Sequence, residues 1–245
     1  MKRTYENGHT KKQYAKRTKQ QSTPNRSARR ALARTLGVEQ KYFDVAVGFV
    51  VPSTVDWQNT AIGVDMPQLV QGDDIVNRNG RKVQLNKVVF KGTMMSNVVV
   101  AGSSVTPPNT VRVVLVLNKQ PNALTTTLGQ DVMGLNGAAA ANTSVAIHMF
   151  QGIQSFGRFK VVDDILINLD ATAAVNNAAA TSVSAVAQEK SFTLSYRPKK
   201  PLIIEYAGTA TTFPNTNAFN ILCNAENTAY GANLQGVCRF YFTDV

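Results

Sequence analysis

The sequence predicts an all-β fold: eight antiparallel strands in a sandwich or barrel, set behind a polycationic N-terminal arm. Three observations carry this reading. Short runs rich in β-branched and aromatic residues alternate with period two. No long helical pattern interrupts them after Gly37. The positive charge, finally, is crowded into one end of the chain. With 245 residues, 44% of them hydrophobic, the chain can bury a full core as one domain plus an appendage.

The arm comes first. Between Met1 and Arg34 stand Lys2, Arg3, Lys11, Lys12, Lys16, Arg17, Lys19, Arg26, Arg29, Arg30 and Arg34, eleven cations against the single acid Glu6. The other 211 residues hold 15 basic and 14 acidic groups, so the arm carries +10 of a net charge of +11. Residues 1–36 have few large apolar groups and cannot bury enough surface to offset their ordering entropy. Mostly disordered chain is the expectation there. Ser27–Leu36 is the exception, a short helix capped by Ser27 and ended by Gly37. Charge this dense marks a polyanion partner. The eleven cations are therefore the candidate nucleic-acid ligands. They would neutralise phosphates and release counterions, giving strong, sequence-tolerant, salt-sensitive binding. Tyr5 and Tyr14 suit stacking on unpaired bases. Lys11–Lys19 and Arg26–Arg34 also form a split nuclear-import pattern, which uses the same exposed cations and implies an import receptor.

The body, residues 37–245, then reads as strands. In Lys41–Pro52, Phe43, Val45, Val47, Phe49 and Val51 alternate with Tyr42, Asp44, Ala46, Gly48 and Val50. Asn79-Gly80 offers a tight turn into Arg81–Asn97, where the apolar phase slips between Leu85 and Val88 as a bulge requires. Val111–Leu117 is apolar on both faces, and Arg158–Leu169 is long and mixed. Ser191–Tyr196 sends Phe192, Leu194 and Tyr196 one way and Ser191, Thr193 and Ser195 the other. Leu202–Tyr206, Phe219–Cys223 and Val237–Thr243 complete the eight. Long connections cover Ser53–Gly80, Asn118–Ser155 and Asp170–Gln188, lengths that usually carry function. The core expected from the alternation is Phe43, Val45, Val47, Phe49, Phe192, Leu194, Phe240 and Phe242.

Reactive groups are few. Cys223 and Cys238 have no CxxC spacing and no adjacent His, so they read as two buried thiols rather than a zinc site or a disulfide. His9 lies in the arm and His148 stands alone in a loop. No P-loop, GxSxG or HExxH occurs, and nothing calls for catalysis, a cofactor or a resident metal. Asp73-Asp74 and Asp163-Asp164 suit a hard cation such as calcium between subunits. Adjacent strand residues face opposite ways, however, so the reading preferred is solvated acids or intersubunit salt bridges. No run of 18 apolar residues suggests a membrane span, and the N-terminus lacks a signal-peptide core.

Several segments, taken in order, are similar to one family. Gly72-Asp73-Asp74, Arg78-Asn79-Gly80-Arg81-Lys82-Val83 and Val88–Gly92 resemble the early strands of capsid proteins from small circular single-stranded DNA viruses. Val111-Arg112-Val113-Val114-Leu115-Val116 with Asn118-Lys119-Gln120-Pro121-Asn122 resembles a further segment of those proteins, with Asn118 where an Asp is common. Arg158-Phe159-Lys160-Val161-Val162-Asp163 and Cys238-Arg239-Phe240-Tyr241-Phe242-Thr243-Asp244 resemble their later strands. Similar segments occur in satellite-virus-like capsids that enclose RNA.

The resemblance implies a single eight-stranded jelly-roll sandwich that self-assembles into a small icosahedral shell with its arm turned inward. A shell of about 60 copies closed by symmetry would hold on the order of 600 arm charges. Its cargo would be single-stranded DNA, with RNA the alternative, in a virion assembled in the host nucleus. In jelly-roll order the first, third, sixth and eighth strands share one sheet, and the second, fourth, fifth and seventh the other. Two rival readings are a cellular nucleic-acid-binding β-domain with a basic tail and a jelly-roll lectin-like module.

Overall fold

The alternation along the body becomes strands close to where the sequence places them. The structure, a computed structural model, describes residues 39–51, 57, 66–96, 105–106, 108–121, 129–134, 147–170, 172–173, 188–208, 212–227 and 232–245. Ten strands form among them: β1 (Lys41–Val51), β2 (Lys82–Ser96), β3 (Val105–Thr106), β4 (Asn109–Asn118), β5 (Phe159–Leu169), β6 (Thr172–Ala173), β7 (Glu189–Tyr196), β8 (Leu202–Glu205), β9 (Ala218–Ala225) and β10 (Ala232–Asp244). One helical turn, α1 (Gly129–Val132), and a 3-10 turn at Ile153–Ser155 are the described helical segments. The arm, with the helix expected at Ser27–Leu36, lies outside the described residues.

Two antiparallel sheets face each other. The first runs β1-β10-β2-β7, with β8 beside the start of β2; the second runs β5-β4-β9. β3 and β6 pair separately. The pairing is nested. β1 joins β10, Met66 bridges to Phe219 of β9, β2 joins β7, and β4 joins β5. First with last and then successively inward is the wrapping of a jelly roll.

The expected division between the sheets is corrected. The second and fifth predicted strands, β2 and β7, join the first, sixth and eighth, while the third, β4, joins the fourth and seventh. The cause is Met66, inside a stretch read as a connection. Its bridge to β9 occupies the second rung, so β2, β4, β5 and β7 each move along by one, while β9 and β10 keep their places. β8 takes no rung of its own. The tight turn is corrected too: the chain turns at 74–77, where the Asn77 N–H donates to Asp74 O at 3.0 Å, and Asn79-Gly80 is only a bend into β2.

Side chains from both inner faces make one core. Phe219 of the second sheet lies 5.8 Å, ring centre to ring centre, from both Tyr196 and Phe240 of the first. Val47, Phe192, Leu194, Phe240 and Phe242 are buried as predicted, and Phe43 and Val45 are half-buried against them. The Phe49 side chain lies outside what is described. The bulge falls in the expected place: Tyr241 faces Lys87 and Phe242 faces Leu85, leaving Asn86 as the extra residue. Gly92 and Gly236 pair across β2 and β10. A Cβ on Gly236 would come within 2.8 Å of both the Gly92 Cα and the Phe90 ring, so this close approach admits only glycine. The emptied space takes Phe90 and Phe192, packed edge to face at 5.5 Å.

β4 is apolar on both faces because both are covered. Its Val114 and Val116 pack with Trp57, Val132, Met133 and Met149 in a second cluster outside the sandwich core. Arg112 holds this roof. It donates to Ile147 O and Met149 O, pairs with Asp164, and sits 5.8 Å from the Trp57 ring centre.

Truncating Phe240 to Ala should cost about 3–5 kcal/mol in urea unfolding, since a fully buried ring leaves a cavity. A loss of a few tenths would mean that the register is wrong. The thiols of Cys223 and Cys238 are free and buried, and burial pushes both pKa values up. Unfolded thiols ionise near pH 8.5, so above about that pH the unfolded chain sheds protons that the folded one keeps. Stability should then fall by about 1.4 kcal/mol per pH unit per thiol. Melting curves from pH 7 to 10 should drop more steeply than those of a Cys223→Ala, Cys238→Ala variant; parallel curves would refute the burial.

Candidate nucleic-acid interface

The eleven arm cations, Lys2, Arg3, Lys11, Lys12, Lys16, Arg17, Lys19, Arg26, Arg29, Arg30 and Arg34, lie outside the described residues, as do Tyr5, Tyr14 and His9. The description starts at Glu39, two residues before a clamp. Lys41 is 2% exposed, and its ammonium donates to Asn79 Oδ1 at 2.8 Å and Asn77 O at 3.1 Å and pairs with Asp244 at 3.0 Å. Asp244 also accepts from the Asn79 N–H. Beside it, Arg78 is wholly buried. Its guanidinium donates to Leu69 O, Gly80 O and Gly208 O and lies 4.4 Å over the Tyr206 ring. Loss of water lowers the Arg78 pKa, against the attraction of Tyr206 and Asp244, and an arginine so bonded keeps its charge. Buried cations need full coordination, and these two have it. The start of β1 is thereby fixed.

The body itself offers a cationic face. On the outer side of the first sheet the register aligns Tyr42, Tyr241 and Lys87 in one row, and Asp44, Arg239, Val89 and Ser195 in the next. Arg239 grips Asp44 with two hydrogen bonds, 2.7 and 2.6 Å, and lies 4.8 Å over the Tyr42 ring. That bonding to Asp44, with a lesser contribution from Tyr241, raises the Arg239 pKa above its ordinary value. Lys87 sits 6.0 Å over the Tyr241 ring. Farther along, Lys91, Thr93, Ser191, Thr193 and Gln235 line a shallow depression floored by Gly92 and Gly236. At the β7–β8 connection Arg197, Lys199 and Lys200 are exposed, and the pairing of Val88 with Tyr196 brings this corner beside Lys87. Cations and phenol rings on one face can hold phosphates and stack bases.

The acids are placed differently. Asp163 accepts the Ser195 N–H at 2.7 Å and Asp164 pairs with Arg112, so both acids have partners within the chain. Asp73 and Asp74 are exposed where the chain enters the turn at 74–77. Among the described residues no group of three or more His, Cys, Asp or Glu could hold a metal ion. Asn118 is buried and accepts from the Gln120 N–H and Arg158 Nε, which fixes the start of the following loop. His148 is exposed.

No family model matches the chain, and no curated protein sequence does. Sequence reasoning missed the cationic face because its members are scattered over four segments. The readable signal was Lys87 and Lys91 on the polar phase of β2, together with Arg197-Pro198-Lys199-Lys200.

Replacing Arg197, Lys199 and Lys200 with Ala should weaken single-stranded DNA binding and lower the slope of log K against log salt by about 2, if these cations contact phosphates. Fluorescence anisotropy across a salt series reads this directly. An unchanged slope would remove the corner from the interface.

Proposed function

We propose that this chain is a viral capsid protein that self-assembles into a small icosahedral shell and packages a single-stranded genome through its basic arm. The observation that carries this reading is the division of charge: +10 within Met1–Arg34 and +1 over the rest, which includes the jelly-roll body. A near-neutral sandwich can pack against its own copies without strong repulsion, while the arm supplies counter-charge for phosphates. The eleven arm cations would bind the genome without reading sequence, and the cationic face of the first sheet would add weaker contacts. The resemblance of Val111–Val116 and Cys238–Asp244 to capsid segments of small circular single-stranded DNA viruses points the same way. It is also the reason to expect DNA as cargo and nuclear import before assembly.

The rival readings fare less well. A lectin-like module would look to Trp57, the single Trp, as a sugar platform, yet Trp57 is buried beneath Arg112. A cellular nucleic-acid-binding domain would explain the arm equally well. It would, however, remain a small species in solution, where a capsid protein forms large closed particles visible by electron microscopy.

Deleting residues 1–36 should leave thermal unfolding of the body nearly unchanged and remove most nucleic acid from purified particles. The ratio of absorbance at 260 to 280 nm, with and without the arm, decides the matter. Equal nucleic-acid content in both would move genome binding to the body and refute the role given to the arm.

A further inference from the structure

We infer that copies of this chain join head to tail, with an apolar ridge at residues 150–156 of one copy seated on the acidic turn at residues 70–76 of the next. The inference deepens the capsid reading and rests on it. It starts from side chains that the fold leaves uncovered. Phe150, Ile153 and Phe156 are 82%, 68% and 54% exposed, three large apolar groups within seven residues. The segment cannot roll over to hide them, because its other side is occupied. Met149 and Ser155 are buried beneath it, the Gly152 N–H donates to Val132 O at 2.9 Å, and the Ser155 hydroxyl donates to the same carbonyl. Lys119 ties its end by donating to Phe156 O and Gly157 O. Isolated exposed apolar groups are normal, but a fixed cluster of this kind marks a contact surface.

The turn is its counterpart. Val70, Ile75 and Val76 are 53%, 46% and 36% exposed, with the exposed Asp73 and Asp74 among them. It too is rigid: the buried Arg78 closes the loop through its N–H to Val70 O and its O from the Gly72 N–H, each 3.0 Å.

Charge decides which surface meets which. Lys119, which donates to Phe156 O, and Arg158 flank the end of the ridge, whereas carboxylates flank the apolar groups of the turn. Ridge against ridge would oppose cations to cations, and turn against turn acids to acids. Ridge against turn matches both the apolar and the charged parts. The two surfaces also lie toward opposite edges of the second sheet. The ridge leads into β5, one edge, and the turn follows Met66, which pairs with β9 on the other. A contact between different patches leaves every pair with one ridge and one turn still open, so association continues until a ring or shell closes. Three or so apolar groups a side make a small interface, below roughly 1,200 Å². That makes a weak pairwise contact, populated by itself only at high protein concentration and reinforced where contacts accumulate around a closed particle.

The test uses two full-length double variants, Phe150→Asp with Phe156→Asp to block the ridge, and Ile75→Asp with Val76→Asp to block the turn. All four positions are exposed, so both variants should melt as the unmodified chain does. After nuclease treatment, analytical ultracentrifugation should show each alone as a single subunit. Their equimolar mixture at high protein concentration should give a two-subunit species, because one intact ridge meets one intact turn and growth then stops. Particles of normal size from either variant alone, or no heterodimer in the mixture, would overturn this contact while leaving the capsid reading in place. If the unmodified chain itself never sediments beyond one subunit, the capsid reading fails, and this contact with it.

Discussion

The nested pairing makes the whole sandwich depend on one junction between distant parts of the chain. β1 and β10 must lie side by side although Lys41 and Asp244 are about two hundred positions apart in sequence. At the end of this ladder the buried Lys41 ammonium meets the Asp244 carboxylate, and Asn77 and Asn79 complete its coordination. A buried ammonium without such partners would cost several kcal/mol, so the ladder and the 66–80 segment stabilise one another. Arg78 extends the same logic to Tyr206, whose hydroxyl donates to Pro67 O at 3.1 Å. One polar knot thus gathers β1, β10, the turn and the end of β8.

The two sheets have different outer faces, and this difference organises the surface chemistry. The first sheet presents bare alternation to solvent, and that face carries Lys87, Lys91, Arg239 and the two tyrosines. The second is roofed by chain from residues 57, 129–134 and 147–159, which covers Val114 and Val116 and leaves Phe150, Ile153 and Phe156 on its outer side. A sheet with one wet face and one with two dry faces follows from the sequences of β2 and β4. β2 alternates, whereas β4 is a continuous apolar run.

Much of this was legible in the sequence, for reasons that differ by element. β1 and β7 alternate cleanly, β2 does so apart from its slip, and β5 is long though mixed, so the limits of these four were read to within two residues. β10 was read short because Gly236 interrupts the apolar phase, and only the paired Gly92 explains why a glycine stands there. The bulge at Asn86 was visible as a slip of phase. Among the described residues Met66, by contrast, contributes a single bridge followed at once by Pro67, and missing it shifted the allocation of strands between sheets. The candidate site was half legible. Charge along the arm is a property of sequence alone, but a surface formed by Lys87, Arg239 and Lys200 exists only once registers are fixed.

The position of β10 also sets an order of events during synthesis. It lies between β1 and β2, yet every other strand of the sandwich is translated before it. Until residues 232–244 leave the ribosome, β1 has no neighbour in its sheet, β2 has one open edge, and Lys41 has no carboxylate. The cationic arm is therefore made long before a finished sandwich can form. Completion of the body is tied to a segment made late, so a truncated product keeps the charge of the arm but lacks the central strand of its first sheet.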